Sequence, residues 1–264
     1  MIVLTGDEIK NIVEGLAART NIVYRSCNMY KYSLLVSLVL SVISVIVVNI
    51  YFFADIGYPE AVHLSFTSLV LLVAVDIISL VFLAMWIIDT VELLEAFART
   101  CIEVEVRGCN KISNKRSRIL ELADYPLWFI ILYVVSVTFV TSAAYILMVL
   151  VKYGYQLGEP NIFHEGFIAS SLLYTLGFIL GGVASIVIVA ALIRLGEHVD
   201  ASVLVLAGIV FSTKYLVDLA ALVYNISWFM SLLSLVLTFL SVRYASILLN
   251  NTKSMIRIVG GDEE

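Results

Sequence analysis

Asp76, Lys214 and Asp218 are ionisable side chains set inside apolar runs long enough to cross a membrane. Lys214 and Asp218 stand four residues apart, so on a helix they share one face. Asp76 lies midway along an earlier run. A charge at the centre of a bilayer costs about 2.5–3.5 kcal/mol on insertion scales. Three such groups in one small chain require partners, water or a task. The run with Asp76 is expected to travel inward and the run with Lys214 outward. Asp76 and Lys214 then fall at comparable depth near the midplane, with Asp218 one turn nearer the outer face. If Lys214 pairs with one carboxylate, the other is left over. Such a carboxylate can hold a proton, or can serve a cation where water reaches it. The alternative is an ion pair that fixes helix registry or meets another membrane subunit.

Hydroxyl side chains form two stripes. Ser33, Ser37, Ser41 and Ser44 fall on one face of the first run. Ser227, Ser231, Ser234, Thr238 and Ser241 do the same on the last. Hydroxyls at this spacing can line a hydrated path. They also form packing faces, because small residues let helices approach closely in lipid. Gly177, Gly181 and Ser185, with Gly182 alongside, form a small-residue pattern that points to packing.

The elements that must position these groups follow from composition. The chain has 264 residues, 61% of them hydrophobic and 14% charged. Soluble domains carry about 25% charged residues. Six apolar runs, at 33–53, 63–88, 127–151, 167–193, 201–223 and 226–249, each match a hydrocarbon core of about 30 Å. The expected fold is an all-α, six-helix transmembrane bundle. Residues 1–32 precede it, 89–126 form its long loop and 250–264 its tail. The first run follows a polar segment with Asp7, Glu8 and Glu14 and no small-residue cleavage site follows it, so it reads as a retained helix.

Orientation follows from Lys and Arg. Lys10, Arg19, Arg25 and Lys31 precede the first run. Arg99, Arg107, Lys111, Lys115, Arg116 and Arg118 follow the second. Arg194 is expected in the turn after the fourth, and Arg243, Lys253 and Arg257 lie near the C-terminus. Lys152 alone falls on the other side. Both termini and the loop are therefore expected in the cytoplasm of a cell-membrane protein. Cys27, Cys101 and Cys109 then all face a reducing compartment. Trp86, Trp128 and Trp228, with Tyr30, Tyr32, Tyr51, Tyr125, Tyr153 and Tyr224, lie near run ends and are expected as an interfacial aromatic belt.

Thr5 and Glu8 read as a capping box, followed by Ile9, Ile12, Val13, Leu16 and Ala17 at helical spacing. This predicts a short amphipathic helix ahead of the first span. The second helix is expected to continue through Glu92 and Glu95, and 102–107 to be extended. Asp124 and Pro126 mark the start of the third helix. Arg107, Lys111, Lys115, Arg116 and Arg118 form a basic cluster without an acid. It suits anionic headgroups or the topology signal. Phosphates of a nucleic acid are also compatible, though no aromatic stacking set is interleaved.

A three-plus-three inverted arrangement would put each half's charged helix in its middle. Against it, no loop after the fifth run matches the long basic one, and no residue-level repeat is visible. There is no phosphate-binding glycine loop, paired-histidine zinc motif or serine elbow, so no enzyme activity, cofactor or metal is expected. His63 and His164 fall outside and His198 inside, as solvated interfacial residues. Gly260-Gly261-Asp262-Glu263-Glu264 reads as a polar tail.

Richness in Ile, Val, Leu and Tyr, with a single glutamine at Gln156, suggests heat adaptation. In length and layout the chain resembles the CedA family, the polytopic subunits of the crenarchaeal DNA-import system. The resemblance is architectural, and no functional residue is carried over from it. It implies import of DNA across the cell membrane alongside small membrane subunits and a separate ATPase. Further copies of the chain are another expected partner. The alternatives are a stand-alone secondary transporter or ion channel using Asp76, Lys214 and Asp218, or a membrane scaffold.

Overall fold

A computed structural model describes residues 6–53, 58–104, 125–157, 160–199, 202–223 and 228–260, all of them helical. The helices are α1 (Gly6–Phe53), α2 (Tyr58–Val104), α3 (Tyr125–Leu157), α4 (Pro160–Val199), α5 (Ser202–Val223) and α6 (Trp228–Gly260). All six are long and apolar enough to cross a membrane. The protein is an all-α, multi-pass membrane protein.

Placement of proline explains part of this regularity. The chain has three prolines, Pro59, Pro126 and Pro160. Each stands in the first turn of its helix. There the missing N–H has no intrahelical partner to lose, and the fixed φ suits the helix. No proline interrupts a helix interior, so nothing of that kind breaks the spans.

Short connections make α1–α2, α3–α4, α4–α5 and α5–α6 antiparallel neighbours. The helices follow one another around a ring, and α1 closes it by packing along α6 as well as α2. Across the middle, α5 touches both α2 and α3. α2 and α5, the two helices with mid-span charges, therefore meet inside. Large apolar side chains such as Val39, Ile46, Leu172, Ile179, Ile186 and Phe239 point outward. In a bilayer that surface faces lipid tails. Association between spans then depends on close packing and hydrogen bonds rather than on hiding apolar surface from water.

Several boundaries differ from the sequence expectation. The N-terminal segment is no separate amphipathic helix: it runs without a break into the first span. Its 48 residues make a rod of about 72 Å, more than twice the hydrocarbon core. Extending an existing helix adds a hydrogen bond per residue, whereas a second helix needs a new nucleus. The overhang is also packed, since Thr20, Val23, Cys27 and Tyr30 are buried one turn after another. Cys27 Sγ lies 4.0 Å from the Ala245 carbonyl oxygen on α6. Arg19 stands 3.7 Å from Glu92 on α2.

The same propagation carries α2 past Glu92 and Glu95 to Val104, so residues 102–104, expected as extended, are helical. It carries α6 to Gly260, through most of the expected tail. Arg194 belongs to α4 rather than to a turn. Its Nη1 donates to the Tyr125 hydroxyl at 2.7 Å, with the guanidinium 5.3 Å from that ring's centre. Thr5, Asp124 and the cluster Arg107, Lys111, Lys115, Arg116 and Arg118 lie outside the described residues.

Candidate functional site: a buried charged triad

α5 carries Lys214 and Asp218 at i and i+4, one above the other on its inner face. Lys214 Nζ donates to Asp218 Oδ2 at 2.8 Å and to Asp76 Oδ1, on α2, at 2.5 Å. All three side chains are fully buried. One ammonium thus serves two carboxylates. Lys214 therefore does not choose one carboxylate and leave the other over, because the long lysine stem places Nζ between them.

Two further helices complete the centre. The Ser37 hydroxyl on α1 donates to Asp76 Oδ1 at 3.0 Å. The Ser234 hydroxyl on α6 donates to Asp218 Oδ1 in a short hydrogen bond. Four helices therefore meet in one network of five polar side chains. Both oxygens of Asp218 are bonded, while Asp76 Oδ2 has no hydrogen-bond partner. With all three groups ionised, the centre carries one formal negative charge. Bringing ions out of water costs several kcal/mol each. The short charge-assisted bonds offset that cost.

The serine stripes point into the bundle. Ser33, Ser37, Ser41, Ser44, Ser231, Ser234, Thr238 and Ser241 are all buried. Only some reach across helices. Ser41 donates to the Ser37 carbonyl at 2.9 Å, Thr238 to that of Ser234 at 2.8 Å and Ser241 to that of Leu237 at 2.8 Å. A hydroxyl satisfied by its own helix behaves as a small packing residue. Ser44 Oγ differs, being buried without a partner.

Aromatic side chains lie on the Ser202 side of the triad. Lys214 Nζ sits 4.7 Å from the centre of the Tyr215 ring, a cation–π arrangement. The Tyr215 hydroxyl is 3.5 Å from that of Tyr30. Tyr133 on α3 packs edge-on against Tyr215 at 5.6 Å, and Tyr30 against Phe211 at 5.2 Å. Tyr30 and Trp86 were expected in the aromatic belt, yet they are 1% and 4% exposed, inside the bundle. Helix overhang accounts for this: where helices run on together past the membrane, a residue near a span's end is still interior. Trp128, Trp228 and Tyr32 face outward as anchors should. Tyr133 and Tyr215 escaped the sequence reading. The signal for Tyr215 was its place beside Lys214.

The small-residue face of α4 packs against α3 and, at Gly181, also against α5. A Cβ on Gly177 would come 2.7 Å from Val140 Cγ2 and 3.0 Å from the Ser136 carbonyl oxygen. One on Gly181 would come 2.8 Å from Leu219 and 2.9 Å from Ser136 Oγ. Close approach lets Ser136 donate to the Gly177 carbonyl at 2.6 Å. Ser170 makes a second such bond, to Ala143 at 3.0 Å. Gly182 has open space beside it.

His164 is exposed, as expected of a solvated residue. The side chains of His63 and His198 lie outside those described. Comparison with family models, with curated proteins and with solved structures finds no match for this chain.

Proposed function

We propose that the protein is a non-enzymatic subunit of a membrane translocation system, with both termini in the cytoplasm, and that the system imports DNA with the help of a separate ATPase. The supporting observation is the buried Asp76–Lys214–Asp218 triad, fed by hydroxyls from two more helices. Well-packed apolar residues of similar volume hold a core at least as firmly as buried ions. A centre built from three charges therefore favours a task over simple cohesion. The serines beside it are spent as donors to the carboxylates, which suits binding rather than bond-breaking chemistry.

DNA import draws on the chain's length and layout, its basic stretch 107–118 and its lack of a nucleotide-binding motif. The triad limits how this would work. Its side chains have no solvent exposure, and large tyrosines fill the space beside it. A polymer then passes between this chain and its partners or copies, not through one bundle. Deleting the gene should abolish DNA uptake, and wild-type protein should restore it. Changing Lys111, Lys115 and Arg116 to Gln should lower uptake without altering insertion, because each lost phosphate contact removes a counterion-release contribution. Unchanged uptake after deletion would end this assignment.

A small-solute transporter or ion channel is the second reading, favoured by the unpaired Asp76 Oδ2 at the centre of the bundle. Purified protein in liposomes would then carry out flux with no other subunit.

A further inference from the structure

We propose that Asp76 Oδ2 is a proton-binding site reached from one membrane face, along the seam between α1 and α6. The site goes beyond the choice of cargo and holds for either function above.

Chemistry selects the ligand. Asp76 Oδ1 already accepts from Ser37 and Lys214, and Asp218 has both oxygens bonded. Asp76 Oδ2 is the acceptor in the network with nothing on it. The Lys214 ammonium already stands between the two carboxylates, where a metal cation would otherwise sit. A proton needs no such space. Binding forms one O–H bond at Oδ2 and takes the centre from formal charge −1 to zero, with Lys214 still an ammonium. Release is the reverse.

Other titratable groups face Asp76. Lys214, Asp218 and Tyr215 come from α5, Tyr30 from α1 and Tyr133 from α3. From α6 the centre receives Ser234, which does not titrate in this range. α4 contributes small and apolar side chains to the interior, Ala184, Ser185 and Ile188 among them.

Geometry selects the face. Cys27 meets Ala245, and ten residues along α1 Ser37 joins the network that holds Ser234, eleven residues back along α6. α1 and α6 are therefore antiparallel with a fixed register. That register sets Ser41 level with Ser231, and Ser44 one turn nearer the ends at Phe53 and Trp228. Ser44 Oγ is the second buried polar atom on this route without a partner, ready to bond a water or a passing proton carrier. Beyond the triad in the other direction, Ser33, Thr238 and Ser241 each donate to a carbonyl of their own helix, the unpartnered Trp86 Nε1 can only donate, and Leu34, Tyr30, Phe211, Tyr215 and Tyr133 fill the space beside them, all buried. Protons thus arrive from the face that carries the α1–α2 and α5–α6 connections.

The test uses the full chain in lipid nanodiscs and in uniformly oriented vesicles, with infrared spectroscopy of the carboxyl group. The wild-type minus Asp76→Asn difference spectrum should contain a protonated-carboxyl C=O band that comes and goes with pH and shifts in D2O. Asp76→Glu should keep a displaced version of it. In oriented vesicles the wild-type band should follow a pH step on the face of the α1–α2 connection and lag a step on the other. The vesicle measurement needs no variant, so it stands even if Asp76→Asn does not fold. A band that survives Asp76→Asn unchanged, a wild-type spectrum without one at any pH, or a response to the opposite face alone would overturn the proposal. DNA uptake is not among these readouts, so either idea can fail without the other.

Discussion

Asp76 on α2 and Asp218 on α5 share one counterion: Lys214 Nζ is 2.5 Å from the first and 2.8 Å from the second. Every residue of the triad is thereby the partner of another, and none can be removed without consequence.

Lys214→Ala leaves two carboxylates facing each other with no cation. Breaking a buried pair this way costs about 3–5 kcal/mol. Detergent-induced unfolding in bicelles should show a loss of that size. Lys214→Met combined with Asp76→Asn and Asp218→Asn should recover most of it, since no buried charge remains. If Lys214→Ala, Asp76→Ala and Asp218→Ala all unfold like wild type, the groups are solvated and not paired.

Ser234 and Asp218 should be energetically coupled, because the hydroxyl donates directly to the carboxylate. Interhelical hydrogen bonds in membranes average about 0.6 kcal/mol and reach about 1.7. A double-mutant cycle between Ser234→Ala and Asp218→Asn should fall near the upper end. Ser241 donates to its own helix at 2.8 Å, so Ser241→Ala with Asp218→Asn should be additive.

Gly177 and Gly182 should respond in opposite ways to a larger side chain. Gly177→Val drives methyls into Val140 and the Ser136 carbonyl, at a cost of about 1–3 kcal/mol. Gly182→Ala meets open space and gains helix propensity of up to about 1 kcal/mol. Thermal unfolding of the two variants gives the comparison.

Topology has its own check. If the termini face the cytoplasm, as proposed, Cys101 and Cys109 should resist an impermeant thiol reagent applied to intact cells and react after permeabilisation. Labelling from outside would invert the orientation.

The six spans and the three charges were legible in the sequence because a bilayer enforces both: apolar length shows at once, and a mid-span charge stands out against it. Sharing of Lys214 between two carboxylates was not legible. It depends on where α2 and α5 cross, and on which way a flexible stem turns. Tyr30 and Trp86 misled for a related reason. Their depth was readable from the pattern, but which side of the helix faces neighbours was not, since lipid and protein interior are both apolar. Helix continuity was missed where polar sequence let a span run on beyond the membrane at residues 6–32 and 250–260, while the continuation of α2 through Glu92 and Glu95 was legible.

α1 has one further consequence as an uninterrupted rod. Ser37 ties it to the charged centre, and Gly6 lies about 46 Å away along the axis. Pivoting the rod by about 5° around Ser37 swings its N-terminal tip by about 4 Å. The helix has the reach of a lever: a tilt too small to notice at the centre would become a displacement the size of a side chain at the far end.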